Sequence, residues 1–343
     1  MRFIAAVRLP DPFVLSLVGV ILAATLCPCS GALASIVHAA GVLAISSLFF
    51  LQGARLSRDA VVGGIMHWRL HATIAVATFI LLPLAAVFLT VFFHRLLPQP
   101  FWVGVMFACA LPSTVQSSIA LTSMAEGNVA GAVCAATGSN LAGMVLTPVI
   151  FAALSRLHGG GASVRNVGLV IAELLVPFVI GHLLRPWIGH WAEQNRRLLS
   201  FTDRGSILLV VYSAFSAAVI NGVWHNFPPA TLLLLGLIMA VVLLVALAAI
   251  LAACRTQQFG RADEVAAVFC GSQKSLVTGV PMANALFSGA AIGPSLIPIM
   301  IYYPMQLVVC AWLARRYANN RAIIPGWSAQ APAAAIMPLS DRI

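Results

Sequence analysis

The chain has 343 residues, of which 61% are hydrophobic and 8% are charged, and its mean hydropathy is +1.00. A soluble domain carries about 25% charged residues, so this composition excludes a water-soluble fold. The formal net charge of +10 does not indicate nucleic-acid binding, because arginines are expected at the ends of membrane helices. Apolar runs of bilayer-spanning length, roughly 20 residues, predict an all-α polytopic membrane protein.

Apolar runs separated by charged residues, proline and glycine predict ten transmembrane helices. The predicted helices span residues 12–27, 34–54, 69–93, 100–123, 128–155, 166–187, 202–223, 229–253, 263–287 and 290–316. Residues 317–343 are rich in alanine and proline, a composition that predicts a cytoplasmic tail with little fixed structure.

The arginines predict how these spans are oriented. With a cytoplasmic N-terminus, fifteen arginines fall on the cytoplasmic side and three, Arg95, Arg156 and Arg165, on the other. This positive-inside bias predicts that both termini are cytoplasmic, which requires an even number of spans. We therefore expect a multi-pass membrane protein with both termini in the cytoplasm.

The spans divide into two sets of five, within residues 12–155 and 166–316. Because five is odd, the second set enters the membrane from the opposite side, which predicts an inverted repeat of the kind found in secondary transporters. In such transporters, one interrupted helix from each repeat contributes to the solute site.

The fourth span of each predicted repeat is interrupted by polar residues, glycine and proline. In the first repeat, Pro112 cannot supply a backbone donor, and five polar side chains follow it within six positions. These five candidate site residues are Ser113, Thr114, Gln116, Ser117 and Ser118. The interruption in the second repeat follows Gly271 and supplies Ser272, Gln273, Lys274 and Ser275. Two crossed interruptions would expose helix N-termini and carbonyl groups to one shared site.

Lys274 is the only lysine among the 19 basic residues. An ionisable group within a membrane span is a functional-site hypothesis by default. Lys274 could be a titrating group or an anchor for an anionic substrate. Alternatively, it is a fixed structural cation that donates to the carbonyl and hydroxyl groups around the interruption.

Four sets of residues carry a family resemblance: Phe49–Arg58, Trp68–His71, Leu111–Thr114 with Glu126–Asn128, and Gly271–Ser275. In them the chain resembles the bile acid:sodium symporter family, also called the solute carrier 10 family. The details resemble the branch that includes fungal calcium-influx regulators and a vertebrate calcium-homeostasis member. The resemblance extends over residues 12–316. It implies a panel of helices 1, 2, 6 and 7 and a core of helices 3–5 and 8–10 that carries the crossing.

Sodium-coupled members of this family bind two sodium ions behind the crossing. The resemblance implies that corresponding ligands fall near Ser117 and Ser118, at Gln273, and on the fifth helix. The fifth-helix candidates are Thr137, Ser139 and Asn140.

This chain also departs from the sodium-coupled pattern. A glutamate of the ninth helix is replaced near Phe269, and a glutamine of the third helix near Thr78. Lys274 takes the position of an asparagine, and an ammonium there would replace the charge of a sodium ion and repel sodium itself. We therefore expect transport that is sodium-independent or proton-linked.

Glu173 lies in the middle of the sixth predicted span, which the family resemblance assigns to the panel. It could form a carboxylate–ammonium pair with Lys274 that opens and closes during transport. Alternatively, Glu173 reaches water near the membrane interface or pairs with Arg165.

Together these features predict a secondary transporter that moves a small, anionic organic solute by alternating access. The spans show no nucleophile–base pair, metal motif or carboxylate pair, so we expect neither an enzyme nor a cofactor or metal site. Protons and the lipid bilayer are the other expected partners. A second hypothesis is a membrane regulator of cation or calcium homeostasis, which would bind a ligand without transporting it.

Overall fold

The computed structural model describes residues 12–55, 67–157, 164–220, 228–287 and 292–319, and every regular element in these ranges is helical. The helices are α1 (Pro12–Leu26), α2 (Gly31–Arg55), α3 (Trp68–Phe93), α4 (Gln99–Ala110), α5 (Gln116–Met124), α6 (Val129–Leu157), α7 (Val164–Leu183), α8 (Arg185–Gln194), α9 (Arg196–Ile220), α10 (Pro229–Thr256), α11 (Arg261–Ser272), α12 (Leu276–Leu286) and α13 (Ile292–Asn319). Residues 320–343 of the predicted tail lie outside the described ranges, and residues 317–319 belong to α13.

Several of these helices have the length and apolarity needed to cross a membrane. Within the described ranges, α2, α3, α6, α10 and α13 meet this criterion, and α7 with α8 would form a sixth span bent by 89°. The fourth predicted span is divided into α4 and α5, and the ninth into α11 and α12. The chain is therefore a multi-pass helical membrane protein, whereas the count of ten spans and the inverted repeat stay predictions.

Helix α10 shows how the apolar surface is divided between protein and lipid. Leu233, Leu237 and Leu244 are more than 60% exposed, whereas Leu235 and Met239 on the other face are fully buried. A helix that is apolar on both faces fits a membrane span, in which one face packs on protein and the other contacts lipid.

The segment between the sixth and seventh predicted spans differs from the prediction. The sixth span was predicted to reach residue 187 and the seventh to begin at 202, but a separate helix, α8, lies between α7 and α9. Pro186 occupies the first turn of α8, where its missing N–H is tolerated. The polar residues of this segment are therefore helical. Those up to Gln194 form α8, and those from Arg196 onwards form the first turns of α9.

Several pairs of helices pack closely against one another. Helix α2 packs against α7 and α9, and α1 packs against α9. The contact between α2 and α7 depends on two glycines, because a Cβ atom at Gly53 or Gly181 would overlap the carbonyl oxygen of Phe178 or Phe50, respectively. Helix α11 contacts α3, α5, α6 and α10, while α13 packs against α4 and α10.

Candidate functional site

The two interruptions meet directly. Residues 111–115 separate α4 from α5, and residues 273–275 separate α11 from α12. The backbone N–H of Ser275 donates to the carbonyl of Pro112 at 2.9 Å. The Ser275 hydroxyl also caps α12 by accepting from the N–H of Thr278 at 3.2 Å. The two interruptions are therefore in direct contact, whereas their crossing as part of an inverted repeat stays a prediction.

The interruption after α4 follows from the chemistry of Pro112. Proline has no N–H for the carbonyl of Ala108, which accepts instead from the N–H of Leu111 at 3.3 Å. The carbonyls that follow are bound from elsewhere: Ala110 by Thr147, Pro112 by Ser275, Ser113 by Asn140, and both Cys109 and Leu111 by Lys274. The backbone groups freed by the break are thus satisfied by neighbouring helices, as a buried break requires.

Lys274 is at the centre of this arrangement. Its Nζ donates to the carbonyls of Thr78, Cys109 and Leu111 at 2.9, 2.7 and 2.6 Å, and the residue is 2% exposed. A carbonyl oxygen can only accept, so these three bonds need three N–H groups, and a neutral amine has two. The geometry therefore corresponds to a protonated ammonium ion.

The carbonyl of Thr78 is available because α3 contains a π-helical turn at Ala77–Leu81. The N–H of Leu82 donates to the carbonyl of Ala77, five residues back, instead of to Thr78. In the same register the donor for Thr78 would be residue 83, which is a proline without an N–H. Pro83 thus leaves the carbonyl of Thr78 for the ammonium of Lys274. π-Helical turns are common at functional sites.

Two buried residues of α13 hold the second interruption, and the sequence analysis missed both. Gln306 accepts from the N–H of Lys274 at 2.7 Å and donates to the carbonyl of Lys274 at 2.9 Å. The Tyr302 hydroxyl donates to the carbonyl of Ser272 at 2.7 Å. Gln306 and Tyr302 are four residues apart and share one helix face. A glutamine within an apolar span was the signal that could have identified this contact.

The hydroxyl groups of the first interruption converge on Gln273. Its Oε1 accepts from Thr114 and Ser117, both at 2.6 Å, and from Ser118 at 3.1 Å. The Ser118 hydroxyl also lies 3.1 Å from the carbonyl of Phe269. The Nε2 atom of Gln273 is buried and has no partner among the described residues. These predicted site residues from the two halves of the chain thus form one cluster.

The predicted residues of the fifth span, now α6, lie beside this cluster. Ser139 accepts from the N–H of Ser113, and Asn140 donates to the carbonyl of Ser113, both at 3.1 Å. Thr137 lines a cavity together with Thr114, Ser117 and Asn140. Ser272 is buried and donates to the carbonyl of Val268 in its own helix, so its hydroxyl supports α11.

A cavity of about 650 Å³ lies between α1, α2 and α9 on one side and α5, α6, α12 and α13 on the other. Six of the predicted site residues line it: Thr114, Gln116, Ser117, Thr137, Asn140 and Ser275. Ser113, Ser118, Ser272, Gln273 and Lys274 are buried and are not part of its wall. The interruptions thus contribute both to the cavity wall and to the buried cluster next to it.

Charged residues line another part of this cavity, which the sequence analysis did not identify as a site. Arg55 of α2 forms a two-pronged ion pair with Asp203 of α9, with Nη1–Oδ2 at 2.8 Å and Nη2–Oδ1 at 3.2 Å. The guanidinium of Arg204 lies over the ring of Phe13, 5.6 Å from its centre. In the sequence these arginines indicate only the orientation of the spans, because nothing in it places Arg55 opposite Asp203.

Glu173 is not part of this site. It is exposed on α7 and is not among the residues that line the cavity. The predicted pair with Lys274 is absent from this conformation, because the ammonium is bound by three carbonyls in the interior. The alternative partner, Arg165, has a side chain outside the described part of the structure.

Comparisons with known proteins identify similar chains of nearly the same length. The model of the SBF-like CPA transporter family matches residues 11–319. "Uncharacterized protein PA2026" from Pseudomonas aeruginosa is 47% identical over 327 residues, which are 94% of this chain and 98% of that protein. "Putative symporter YfeH" from Escherichia coli K12 is 44% identical over 313 residues, or 91% and 94% of the two chains. Mouse "Sodium/bile acid cotransporter 7" is 27% identical over 274 residues, or 78% and 79%.

Proposed function

Because this chain belongs to the SBF-like CPA transporter family, we propose that it is a secondary transporter that moves a small organic anion across the bacterial inner membrane by alternating access. The observation that carries this proposal is the cavity of about 650 Å³ with both helix interruptions at its wall. A cavity of this size suits a small organic ligand. Crossed interrupted helices are the usual solute site in transporters built from inverted repeats.

We propose that α1, α2, α7 and α9 form the panel and that the remaining membrane helices form the core. The close glycine contact between α2 and α7 supports a panel that moves as one unit. The hydrogen bonds between the two interruptions similarly support a rigid core. The cavity lies between these two units, so their relative movement would expose it to one side of the membrane and then to the other.

The charges around the cavity favour an anionic solute. Among the described residues of its wall, Arg55 and Arg204 are cationic and Asp203 is anionic, which leaves one positive charge in excess. The N-terminal ends of α5 and α12 also contribute to the wall, through Gln116 and Val277, and helix N-termini favour negative charge. Apolar side chains, which include Leu121, Ile207 and Leu307, would contact the body of the solute.

We propose that Lys274 is a fixed charge that takes the place of a coupling sodium ion. Main-chain carbonyls are the ligands with which membrane proteins replace the hydration shell of alkali cations. In this chain three carbonyls at the crossing are bound by the ammonium of Lys274. Transport is therefore expected to proceed without sodium, with protons as the alternative coupling ion.

Counterflow in proteoliposomes tests both parts of the proposal. A thermal-shift screen of organic anions in potassium buffer would select the most stabilising compound, and its labelled form would be used for uptake. Counterflow should exceed that of protein-free liposomes and should be equal in sodium and potassium buffers. Strong sodium stimulation, with Lys274→Ala still active, would contradict the role proposed for Lys274. Saturable binding without counterflow would favour the regulator hypothesis instead.

A further inference from the structure

The ion pair between Arg55 and Asp203 is placed where a solute can reach it. Both residues line the cavity, and their side chains are 26% and 10% exposed, respectively. The carboxylate of Asp203 occupies the Nη1–Nη2 edge of the guanidinium, the two-pronged geometry in which arginine recognises a carboxylate ligand. Gln52, one turn before Arg55 on α2, lines the same wall.

The simplest alternative is that the pair only holds α2 against α9. These helices, however, also pack through apolar residues, and the fully buried Ile45 and Leu48 of α2 belong to the hydrophobic core together with Val211 of α9. Replacing a largely buried ion pair by neutral groups often leaves stability unchanged, so the pair is a weak means of joining two helices that already pack closely.

We propose that Arg55 binds the anionic group of the solute and that Asp203 is an internal competitor, which holds the guanidinium until the solute displaces it. This inference rests on the proposed function, because it treats the cavity as the solute site. The charges of the cavity wall agree with the proposal that an anionic group binds there. The described residues of the cavity wall carry two positive charges and one negative charge, so one bound monoanion makes the site neutral.

The proposal assigns a distinct role to each partner of the pair. Arg55 supplies affinity for the anionic group through charge-assisted hydrogen bonds, which are stronger than neutral ones. Asp203 lowers that affinity, because a solute must break the existing ion pair before it binds. A transporter also has to release its solute, and an internal carboxylate that recaptures the guanidinium would assist that release.

Equilibrium binding of two probes of equal shape tests these roles. The probes are 2-naphthoate and its uncharged analogue 2-naphthamide, titrated into the full-length protein in lipid nanodiscs. Asp203→Asn should bind 2-naphthoate about tenfold more tightly than wild type, because the competing carboxylate is gone. The double variant Arg55→Gln/Asp203→Asn should bind it at least about tenfold more weakly. All three proteins should bind 2-naphthamide equally.

The double variant is the decisive one because it removes both charges of the pair and leaves the net charge of the cavity as in wild type. It also avoids an unpaired, largely buried Asp203, which could prevent the single Arg55 variant from folding. Unchanged 2-naphthoate binding by the double variant would overturn the role of Arg55. Failure of Asp203→Asn to bind more tightly, or parallel losses for both probes, would overturn the competitor mechanism.

Counterflow separates this inference from the proposed function. If the wild type shows counterflow but the variants bind 2-naphthoate like the wild type, the result supports the transporter assignment and contradicts the role proposed for Arg55. If binding follows the predicted charge dependence but neither the wild type nor the variants show counterflow, the result supports the anion site and contradicts the transport proposal.

Discussion

Lys274 has a structural role that could be predicted only in part from its position in the sequence. Its ammonium donates to carbonyls released by two separate irregularities, the π-helical turn before Pro83 and the break at Pro112. The sequence predicted a buried cation beside a helix interruption, since a lone lysine in an apolar span is a local signal. The carbonyl of Thr78 was not predictable, because it lies 196 residues away and is freed by a proline that looks ordinary in its own helix.

Replacement of Lys274 by methionine, which has a similar shape but no charge, should strongly destabilise the protein. The carbonyls of Thr78, Cys109 and Leu111 would be left buried without donors, at a cost of roughly 1–3 kcal/mol each. Thermal unfolding in detergent would measure the effect as a lower melting temperature. Arg315→Met, in which an exposed cation is removed, is the matched control. Equal melting temperatures for the two variants would show that the three bonds contribute little.

The individual helices illustrate which features a sequence specifies locally. Breaks in the fourth and ninth predicted spans were correctly expected, because proline and clustered polar residues act on the helix that contains them. Helix α8 was missed, since a short polar helix between two spans resembles a loop in composition. The ion pair between Arg55 and Asp203 was also missed, because it joins residues 148 positions apart through the packing of α2 on α9.

Two glycines of α7 provide a matched pair for testing the proposed panel. Gly181→Ala should separate α7 from α2, because its Cβ atom would overlap the carbonyl oxygen of Phe50. Gly168→Ala should be harmless, because no atom of another helix lies within 4 Å of the added Cβ. We expect a lower melting temperature for Gly181→Ala alone, by the equivalent of about 1–3 kcal/mol, as for other overpacked contacts. Similar behaviour of the two variants would argue against a tight α2–α7 contact.

The orientation of the protein in the membrane is predicted from the distribution of its arginines, and this prediction does not depend on how the core packs. Arg255 and Arg261 flank the connection between α10 and α11, whereas the connection between α3 and α4 carries Arg95. The positive-inside rule places the first connection in the cytoplasm and the second on the opposite side. On this orientation, Arg55 and Arg204 of the cavity wall are expected on the cytoplasmic side of the membrane.

Reporter fusions would test this orientation in cells. Alkaline phosphatase, which is active only outside the cytoplasm, should be active when fused after Leu96 and inactive when fused after Gln258. Green fluorescent protein should give the complementary pattern. Active phosphatase after Gln258 would reverse the orientation, and activity at both sites would contradict the ten-span count.

The ammonium of Lys274 also has a consequence for biosynthesis. The carbonyls of Thr78, Cys109 and Leu111 enter the membrane long before the ribosome reaches residue 274, and Gln306 follows later still. Until then, the earlier helices hold polar groups in an apolar medium with no permanent donor. We therefore expect the nascent first half to reach its final packing only after Lys274 has been synthesised. Its maturation depends on a residue made late in translation, which makes a chain truncated before Lys274 a natural substrate for membrane quality control.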